Sequence, residues 1–273
     1  MKARKAPLVI GLALVAAAFF PPQLWLLSIS LKTKAGVYEY PPRWIPESAS
    51  FANYAFVLAR TEVPRYLANS ARVALLATLL TLAVSIPAAY VLSRERFRRR
   101  DSLLGALVAA QMVSPVVLLV PIYGLIAALR LLDTHTGLSL VYAAVQVPFT
   151  IIVLKTFFDA LPPSVLEAAR LDGASRFLTL RRVALPLVAP GLAATATFNL
   201  AAYWSEFALS LVLLDTQSRF TIPIGLFSFQ SGYETEWNLV AAASFIGLVP
   251  VMAGFALLQR FFVAGLTAGA VKG

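Results

Sequence analysis

Long apolar runs alternate along this chain with shorter polar segments that are rich in proline and aromatic residues. A helix needs about 20 predominantly apolar residues to cross the hydrocarbon core of a bilayer, and several of the runs approach or exceed that length. They predict membrane spans at about residues 8–31, 69–92, 103–128, 138–158, 190–214 and 239–263. The predicted fold class is therefore an all-α polytopic membrane protein with six transmembrane helices, in which residues 1–273 form one transmembrane domain.

The first apolar run also has features of a secretory signal peptide. Basic residues precede it, and the alanines at 16–18 are similar to a cleavage site. The apolar pattern continues past Pro21 and Pro22 to Leu31, which makes the run long enough to cross a bilayer. We therefore expect a membrane span here rather than a cleaved leader.

The polar segment at residues 162–186 carries most of the helix-boundary signals in the chain. Ser164 is a good N-cap residue, and Glu167 follows three residues later, which predicts a capping box at the start of a short helix. Gly173 fits the end of that helix, where a positive φ is often needed. A second helical run at 175–185 leads into the fifth predicted span, so the segment is predicted to be a short helix, a bend and a second helix.

Composition excludes most enzymatic readings of the chain. Hydrophobic residues make up 59% and charged residues 13% of the sequence, whereas a soluble domain carries about 25% charged residues. The chain has no cysteine and one histidine, so thiolate metal sites and disulfides are excluded and a histidine metal site has little support. The phosphate-loop, GxSxG and HExxH motifs are absent from the sequence. We expect a transport subunit that contains no cofactor and no catalytic residue.

The net charge of +10 has two explanations, nucleic-acid binding or cytoplasmic loops enriched in Lys and Arg, and the second comes first for a membrane protein. With the N-terminus, the arginines of 94–100, the segment 155–182 and the C-terminal tail inside, 15 of the 23 basic residues face the cytoplasm. This bias predicts that both termini and the 162–186 loop are cytoplasmic. The 94–100 cluster is also compatible with nucleotide or anionic-lipid binding.

Six fixed letters in the 162–186 loop resemble the EAA loop of ABC importer permeases, EAA-x3-G-x9-I-x-LP. They are Glu167, Ala168, Ala169, Gly173, Leu185 and Pro186, and Val183 replaces the family's isoleucine. Six further segments resemble the sugar-importer permeases related to the maltose subunit MalG. These segments are Pro42–Pro46 with Asn53–Tyr54, Ala88–Tyr90 with Ser93–Arg94, Leu132–Thr134, and the tail 265–273.

The resemblance implies a permease subunit of an ATP-driven importer in the inner membrane, with both termini cytoplasmic. The implied substrate is a sugar, such as the disaccharides maltose or trehalose or a longer oligosaccharide. The implied partners are a second, MalF-like permease subunit, two ABC ATPase subunits that bind ATP and magnesium, and an extracytoplasmic sugar-binding protein. Glycerol phosphate or another small solute is an alternative substrate. A proton-coupled secondary transporter is an alternative mechanism, but it would need ionisable pairs in the membrane.

The resemblance also implies that the helix in the EAA loop is the contact with the ATPase. The residues expected to couple the two subunits are Ser164, Glu167, Ala168, Ala169, Asp172, Gly173, Leu185 and Pro186. The small side chains of Ala168 and Ala169 would allow a close approach. Val165, Leu166 and Leu171 are expected to supply the apolar contact.

Polar and aromatic residues cluster in the fifth predicted span. Asn199, Tyr203 and Glu206 are three or four residues apart and so share one helix face. Polar groups at this depth are costly and either bond to neighbouring helices or line a path. Because sugars bind to planar polar groups and aromatic rings, we expect these three residues, with Trp204 and Phe207, to line the translocation path.

The loop at 216–237 is the candidate contact with the binding protein. By resemblance, residues Phe229, Gln230, Ser231, Gly232 and Tyr233 would reach into the binding protein and help release the sugar. The alternative is a loop anchored at the membrane interface by its aromatic residues.

Overall fold

A computed structural model describes residues 17–229 and 235–270 together with Gly11 and Val15, and all of the helices and turns named below lie in that part of the chain. Its longer helices are α4 (Val63–Arg94), α5 (Arg100–Gln111), α6 (Leu119–Ala128), α7 (His135–Asp159), α11 (Ala189–Trp204) and α14 (Trp237–Ala270). Shorter helices are α1 (Pro21–Ser30), α2 (Lys34–Val37), α3 (Ala52–Arg60), α8 (Pro163–Leu171), α9 (Arg176–Thr179), α10 (Leu185–Leu187), α12 (Ala208–Leu213) and α13 (Ile222–Ser228). A π-helical turn, Leu180–Ala184, joins α9 to α10.

Three stretches of helix are long and apolar enough to cross a membrane. They are α4, α7 and the Trp237–Gly254 part of α14, and they coincide with the second, fourth and sixth predicted spans. The segments Arg176–Leu187 and Ala189–Trp204 would form a fourth span together, but they are bent by 79°. The described part of the chain therefore has three such helices, or four if the bent pair counts as one.

The first and third predicted spans differ from single long helices. The third is divided into α5 and α6, because the chain between Gln111 and Leu119 contains Pro115 and is not helical. Part of the first predicted span, residues 8–10, 12–14 and 16, lies outside the described residues. The number of six spans and the direction of the termini stay predictions.

The chain divides into two compact units, Met1–Arg65 with Gly225–Pro250 and Tyr66–Ile224 with Val251–Gly273. In the first unit, Asn53 organises the end of α1. Its Nδ2 donates to the carbonyls of Ser30 and Lys32, each at 2.8 Å, and its Oδ1 accepts from Asn238 at 2.9 Å. These bonds satisfy carbonyls that a helix C-terminus leaves without partners. The Asn53–Tyr54 pair noted in the sequence therefore has a local structural role.

The second unit has two clusters of buried apolar side chains. One surrounds Tyr142 and Tyr203 and includes residues of α4, α6, α7 and α12, and the other surrounds Phe158 and includes residues of α4, α7, α8 and the π turn. In lipid, apolar burial alone drives little helix association, so close packing and polar contacts determine which helices associate. Gly191 of α11 provides such a close approach, because a Cβ there would lie 2.4 Å from Cγ of Phe157.

Helix α4 is held near both of its ends within the second unit. Near its start, Nδ2 of Asn69 donates to the carbonyls of Ser218 and Phe220, each at 3.0 Å. At its end, the Arg94 guanidinium donates to main-chain carbonyls next to α8, as described below. Pro87 lies inside the helix between these two positions.

Candidate coupling loop and intramembrane polar cluster

Helix α8 begins differently from the predicted capping box. Its N-cap is Pro162, whose side chain makes no capping hydrogen bond, and its first residue is Pro163. Proline is favoured at the first helical position, where an N–H would have no partner. Because the helix starts there, Ser164 is its second residue and Glu167 its fifth. The predicted capping box is therefore wrong.

The end of α8 agrees with the prediction for Gly173. That residue has a backbone φ of +81°, which residues other than glycine rarely adopt. Its N–H donates to the carbonyl of Arg170 and the N–H of Ala174 donates to that of Ala169, both at 3.0 Å. This pair of bonds is a Schellman motif, which closes the helix and fixes the direction of the next segment.

One face of α8 packs against its own chain and the other is open. Leu166 is buried in the cluster around Phe158, so it is not available to an ATPase as the sequence had suggested. Leu171 is 89% exposed and Phe177, in α9, is 70% exposed. Of the coupling residues, Ala169 and Leu185 are half-buried; the exposed ones are Ser164, Glu167, Ala168, Asp172, Gly173 and Pro186.

The connection from α8 to α11 contains two changes of helical geometry. Ser175 caps α9 by accepting from the N–H of Leu178 at 3.3 Å, as a helix start at 175 predicts. A π turn precedes Pro186, whose ring would clash with the carbonyl four residues earlier in an α-helix. The chain then bends by 79° before α11, where Pro190 occupies the first turn. The second helix does not run straight into the fifth span.

The end of α4 fixes the turn that leads into α8. The Arg94 guanidinium donates to the carbonyl of Phe158 and, at 2.9 Å, to that of Leu161. The neighbouring Ser93 hydroxyl donates to the Asp159 carboxylate at 2.6 Å. Arg94 was expected only as a member of a charge cluster, although Ser93–Arg94 was among the segments that resemble the family. The structure shows that Arg94 joins α4 to the α7–α8 turn.

Glu95 makes a second link to the loop. Its carboxylate lies 3.4 Å from Arg176 and 4.0 Å from Arg170. Both arginines are more than half exposed, so the ion pairs are weak and screened by salt. They orient the loop more than they stabilise it.

The polar face of α11 is occupied by bonds to other helices of the chain. The hydroxyl of Tyr203 lies 2.6 Å from that of Thr81 in α4, and its ring stacks on Tyr142 of α7 with the centroids 5.4 Å apart. Asn199 is fully buried, and its Nδ2 donates to the Thr150 hydroxyl at 3.1 Å. These are the interhelical hydrogen bonds that the sequence left open as the alternative to a path.

Glu206 lies beyond the end of α11, so it does not share a continuous helix with Asn199 and Tyr203. Its carboxylate accepts from the N–H groups of Leu209 at 2.8 Å and Ser210 at 3.1 Å. It also accepts from the Tyr142 hydroxyl at 2.7 Å. A carboxylate at a helix N-terminus is favoured by the helix dipole, so Glu206 caps α12 and ties it to α7. Trp204 and Phe207 on either side are half-buried.

Asp133 connects the loop before α7 to the segment after α12. Its carboxylate accepts from the N–H of Asp215 and the N–H of Thr216, each at 3.1 Å, and from the Thr216 hydroxyl at 2.6 Å. Arg219 lies 3.1 Å away. Burial alone raises the pKa of Asp133, but the hydrogen bonds and the Arg219 charge together lower it below its usual value.

The predicted contact with the binding protein is only partly described. Phe229 is half-buried just after α13, and its N–H donates to the carbonyl of Leu226 at 3.2 Å. Gln230, Ser231, Gly232 and Tyr233 lie outside the described residues. In the described part of the chain, no group of three His, Asp or Glu side chains could hold a metal ion.

The described residues form long apolar helices, without a β-strand among them, and an exposed helix–bend–helix loop, which is the organisation of a membrane transport subunit. Comparison with known proteins gives the family: the chain belongs to the binding-protein-dependent transport system inner membrane components, whose family pattern matches residues 82–267. It is thus a permease subunit of an ABC transporter rather than an enzyme.

Relatives of known name cover almost the whole chain. The sulfoquinovosyl glycerol transport system permease SmoH of Agrobacterium fabrum is 35% identical, over 92% of this chain and 88% of the relative. The trehalose/maltose transport system permease MalG of Thermococcus litoralis is 34% identical, over 97% and 96%. A chain of a bacterial ABC transporter that imports the acidic polysaccharide alginate has the same fold, with a TM-score of 0.81 over 96% of this chain and 97% of that one, at 21% identity.

Proposed function

We propose that this chain is one of two permease subunits of an ATP-driven importer for a sugar, a di- or oligosaccharide such as trehalose or maltose. Relatives named for trehalose and maltose and for sulfoquinovosyl glycerol support the substrate class. The observation that carries the importer mechanism is the exposed EAA loop. Its helix is closed by the Schellman motif at Gly173 and is joined to α4 through Arg94.

The open face of α8 is the proposed contact with the ATPase. Leu171 of α8 and Phe177 of the following α9 supply exposed apolar surface, and the small Ala168 of α8 is exposed too. Burying such surface in a partner is favourable. Movement of an ATPase against this face would displace the α7–α8 turn. Because Arg94 bonds to the carbonyls of that turn, the displacement would be shared by α4.

The proposed topology places both termini and the EAA loop in the cytoplasm, on the basis of the distribution of basic residues. The segment 229–233 would then face the binding protein on the opposite side. The second permease subunit would complete the translocation path. In this chain, Trp204, Glu206 and Phe207 remain the proposed path residues, and their partial exposure supports this. Asn199 and Tyr203 are buried, and their proposed role is to hold together the helices that line the path.

Reconstitution tests the proposal directly. The complete importer in proteoliposomes, with binding protein outside and ATP inside, should accumulate labelled trehalose or maltose. This chain alone should neither hydrolyse ATP nor transport. Uptake by the single chain driven by a proton gradient would contradict the importer mechanism. Uptake of labelled glycerol phosphate, but of no sugar, would contradict only the substrate class.

A further inference from the structure

A cavity of about 310 Å³ lies in the segment that follows α1. It is formed within residues 32–48 and so lies in the first unit. Its polar lining consists of Lys32, Thr33, Glu39, Arg43, Glu47 and Ser48. A cavity of this size can hold a small ligand or the headgroup of a larger one. None of these residues belongs to the proposed coupling loop or to the proposed translocation path.

Lys32 is a buried cation at this cavity without an acidic partner. It is 5% exposed, its ammonium donates to the carbonyl of Arg43, and it lies 4.8 Å from the ring centroid of Trp25. Among the described residues, no carboxylate lies within ion-pair distance of it. A buried charge is costly unless it is paired. The contact with Trp25 offsets part of that cost, and an anionic group in the cavity would offset more.

The rest of the lining argues against a simple anion. Arg43 is already paired with two carboxylates, Glu39 at 3.2 Å and Glu47, whose side chains are 38% and 68% exposed. The four charged side chains of the lining, Lys32, Glu39, Arg43 and Glu47, therefore have a net charge of zero. The Lys32 ammonium is buried, whereas the two carboxylates are exposed. Each carboxylate can accept several hydrogen bonds, so both retain capacity. A ligand that carries an anionic and a cationic group would satisfy both ends.

The position of the cavity along the chain favours a lipid. Trp25, in α1, makes an edge-to-face contact with Trp44, with the ring centroids 5.1 Å apart. Tryptophans concentrate at membrane interfaces. Exposed apolar side chains precede this pair in the chain: Phe19 is 71%, Phe20 60% and Leu24 54% exposed. The Lys32 ammonium lies over Trp25 on the α1 side of the cavity. The anionic group of a ligand would therefore bind near the apolar surface and its cationic group farther away.

We propose that this cavity binds the phosphoethanolamine headgroup of a membrane phospholipid. The phosphate pairs with Lys32 and accepts from the Thr33 and Ser48 hydroxyls. The ammonium donates to Glu39 and Glu47, and the acyl chains lie along the apolar residues that lead to Trp25. Phosphatidylglycerol lacks the cation, and the trimethylated headgroup of phosphatidylcholine lacks the N–H donors. The proposal requires α1 to reach the membrane interface and does not depend on the transported substrate.

Native mass spectrometry of the complete importer tests this selectivity. The detergent-solubilised complex receives equal amounts of phosphatidylethanolamine, phosphatidylglycerol and phosphatidylcholine with identical acyl chains. The wild type should retain phosphatidylethanolamine in preference to the other two. Lys32→Met should lower that retention about tenfold, which is the effect of losing one charge-assisted contact. Lys34→Met is the matched control, because Lys34 is a neighbouring lysine that pairs with Glu236 at 3.6 Å; it should retain the wild-type preference.

A second variant addresses the other end of the headgroup. Glu39→Gln with Glu47→Gln should reduce phosphatidylethanolamine to the level of phosphatidylglycerol, and it keeps the proposal testable if Lys32→Met fails to assemble. Equal retention of all three lipids by the wild type would overturn the proposal, as would equal effects of the Lys32 and Lys34 variants. The competing outcome is that soluble glycerophosphoethanolamine displaces phosphatidylethanolamine at an equal concentration of the two compounds. That result would show that the cavity binds a free phosphate ester and would overturn the lipid proposal. In each of these cases, ATP-driven sugar uptake would leave the importer function intact.

Discussion

Gly173 shows how much a single backbone conformation contributes to the coupling loop. Its φ of +81° allows both bonds of the Schellman motif, and those bonds set where α9 begins relative to α8. A Cβ at this position would meet no atom within 4 Å. The requirement for glycine is therefore conformational, and it lies in the only segment that is proposed to touch the ATPase.

Gly173→Val should uncouple the importer while leaving it assembled. A β-branched residue at this φ costs about 1–3 kcal/mol locally, which the loop can avoid only by changing the angle between α8 and α9. We expect normal pairing with the second permease, weaker co-purification of the ATPase and reduced sugar uptake. Gly105→Ala, in α5, also adds a Cβ in open space and has no positive φ, so it is the control. Full uptake with bound ATPase in the valine variant would leave the loop as a simple connector.

Asp133 gives a prediction that depends on pH. Its lowered pKa means that folding stabilises the charged carboxylate, so its contribution is present above the unfolded pKa of about 3.9 and is lost as pH falls through the lowered folded value. Asp133→Asn should lower stability at pH 7 by about 1–3 kcal/mol, because hydrogen bonds to a charged acceptor are lost. The difference from wild type should stay constant above about pH 4 and shrink as the pH falls below that value.

Thermal unfolding of the purified complex from pH 7 to pH 3 measures this difference. Asp101→Asn is the control, since the Asp101 side chain is 94% exposed and its nearest cation is 3.8 Å away. A difference between Asp133→Asn and wild type that stays constant down to pH 3 would mean that titration of this carboxyl does not contribute.

At the scale of helices, the contact between α7 and α11 depends on the absence of a side chain. Gly191→Ala should destabilise the protein by about 1–3 kcal/mol, because the new methyl group would meet the Phe157 ring at 2.4 Å. Thermal unfolding should show the loss, and Phe157→Leu in the same chain should recover part of it. Gly124→Ala, in α6, adds its methyl group in open space and should be neutral. Equal effects of the two alanine variants would show that α7 and α11 move apart without cost.

The helices also show which boundaries a sequence predicts. Gly173 gave a correct expectation for the end of α8, because its effect on the backbone is local. The break between α11 and α12 lies at Ser205–Phe207, where there is no proline or glycine, and a continuous span to residue 214 was expected. Glu206 makes the break favourable by capping α12 and bonding to Tyr142. A contact with a residue 64 positions away leaves no periodic signal.

For the molecule as a whole, the apolar pattern predicted the membrane class and the long helices, and the EAA loop predicted the family. The apolar pattern did not predict which polar residues face other helices. Asn199 and Tyr203 have the spacing of a path, but both are buried against Thr150 and Thr81. Spacing defines a helix face, whereas its neighbour is set by tertiary packing.

Cysteine scanning can separate path residues from packing residues, and the chain has no native cysteine to interfere. Trp204→Cys and Phe207→Cys should react with small hydrophilic thiol reagents, at rates that change when ATP is added to the importer. Thr150→Cys, at the buried Asn199 contact, should stay unreactive and serves as the control. Inertness of both aromatic positions in every nucleotide state would exclude this part of α11 and α12 from the path.

The two attachments of α4 have a mechanical consequence. Asn69 and Arg94 lie about 38 Å apart along one helix at 1.5 Å per residue, and each bonds to two main-chain carbonyls of a different loop. If α4 moves along its axis as a rigid helix, both of its attachments move together. Bending of α4 would concentrate at Pro87, where the helical hydrogen bonding is interrupted. Stiffening that point would make the two loops respond in unison, and loosening it would let one loop shift while the other stays still.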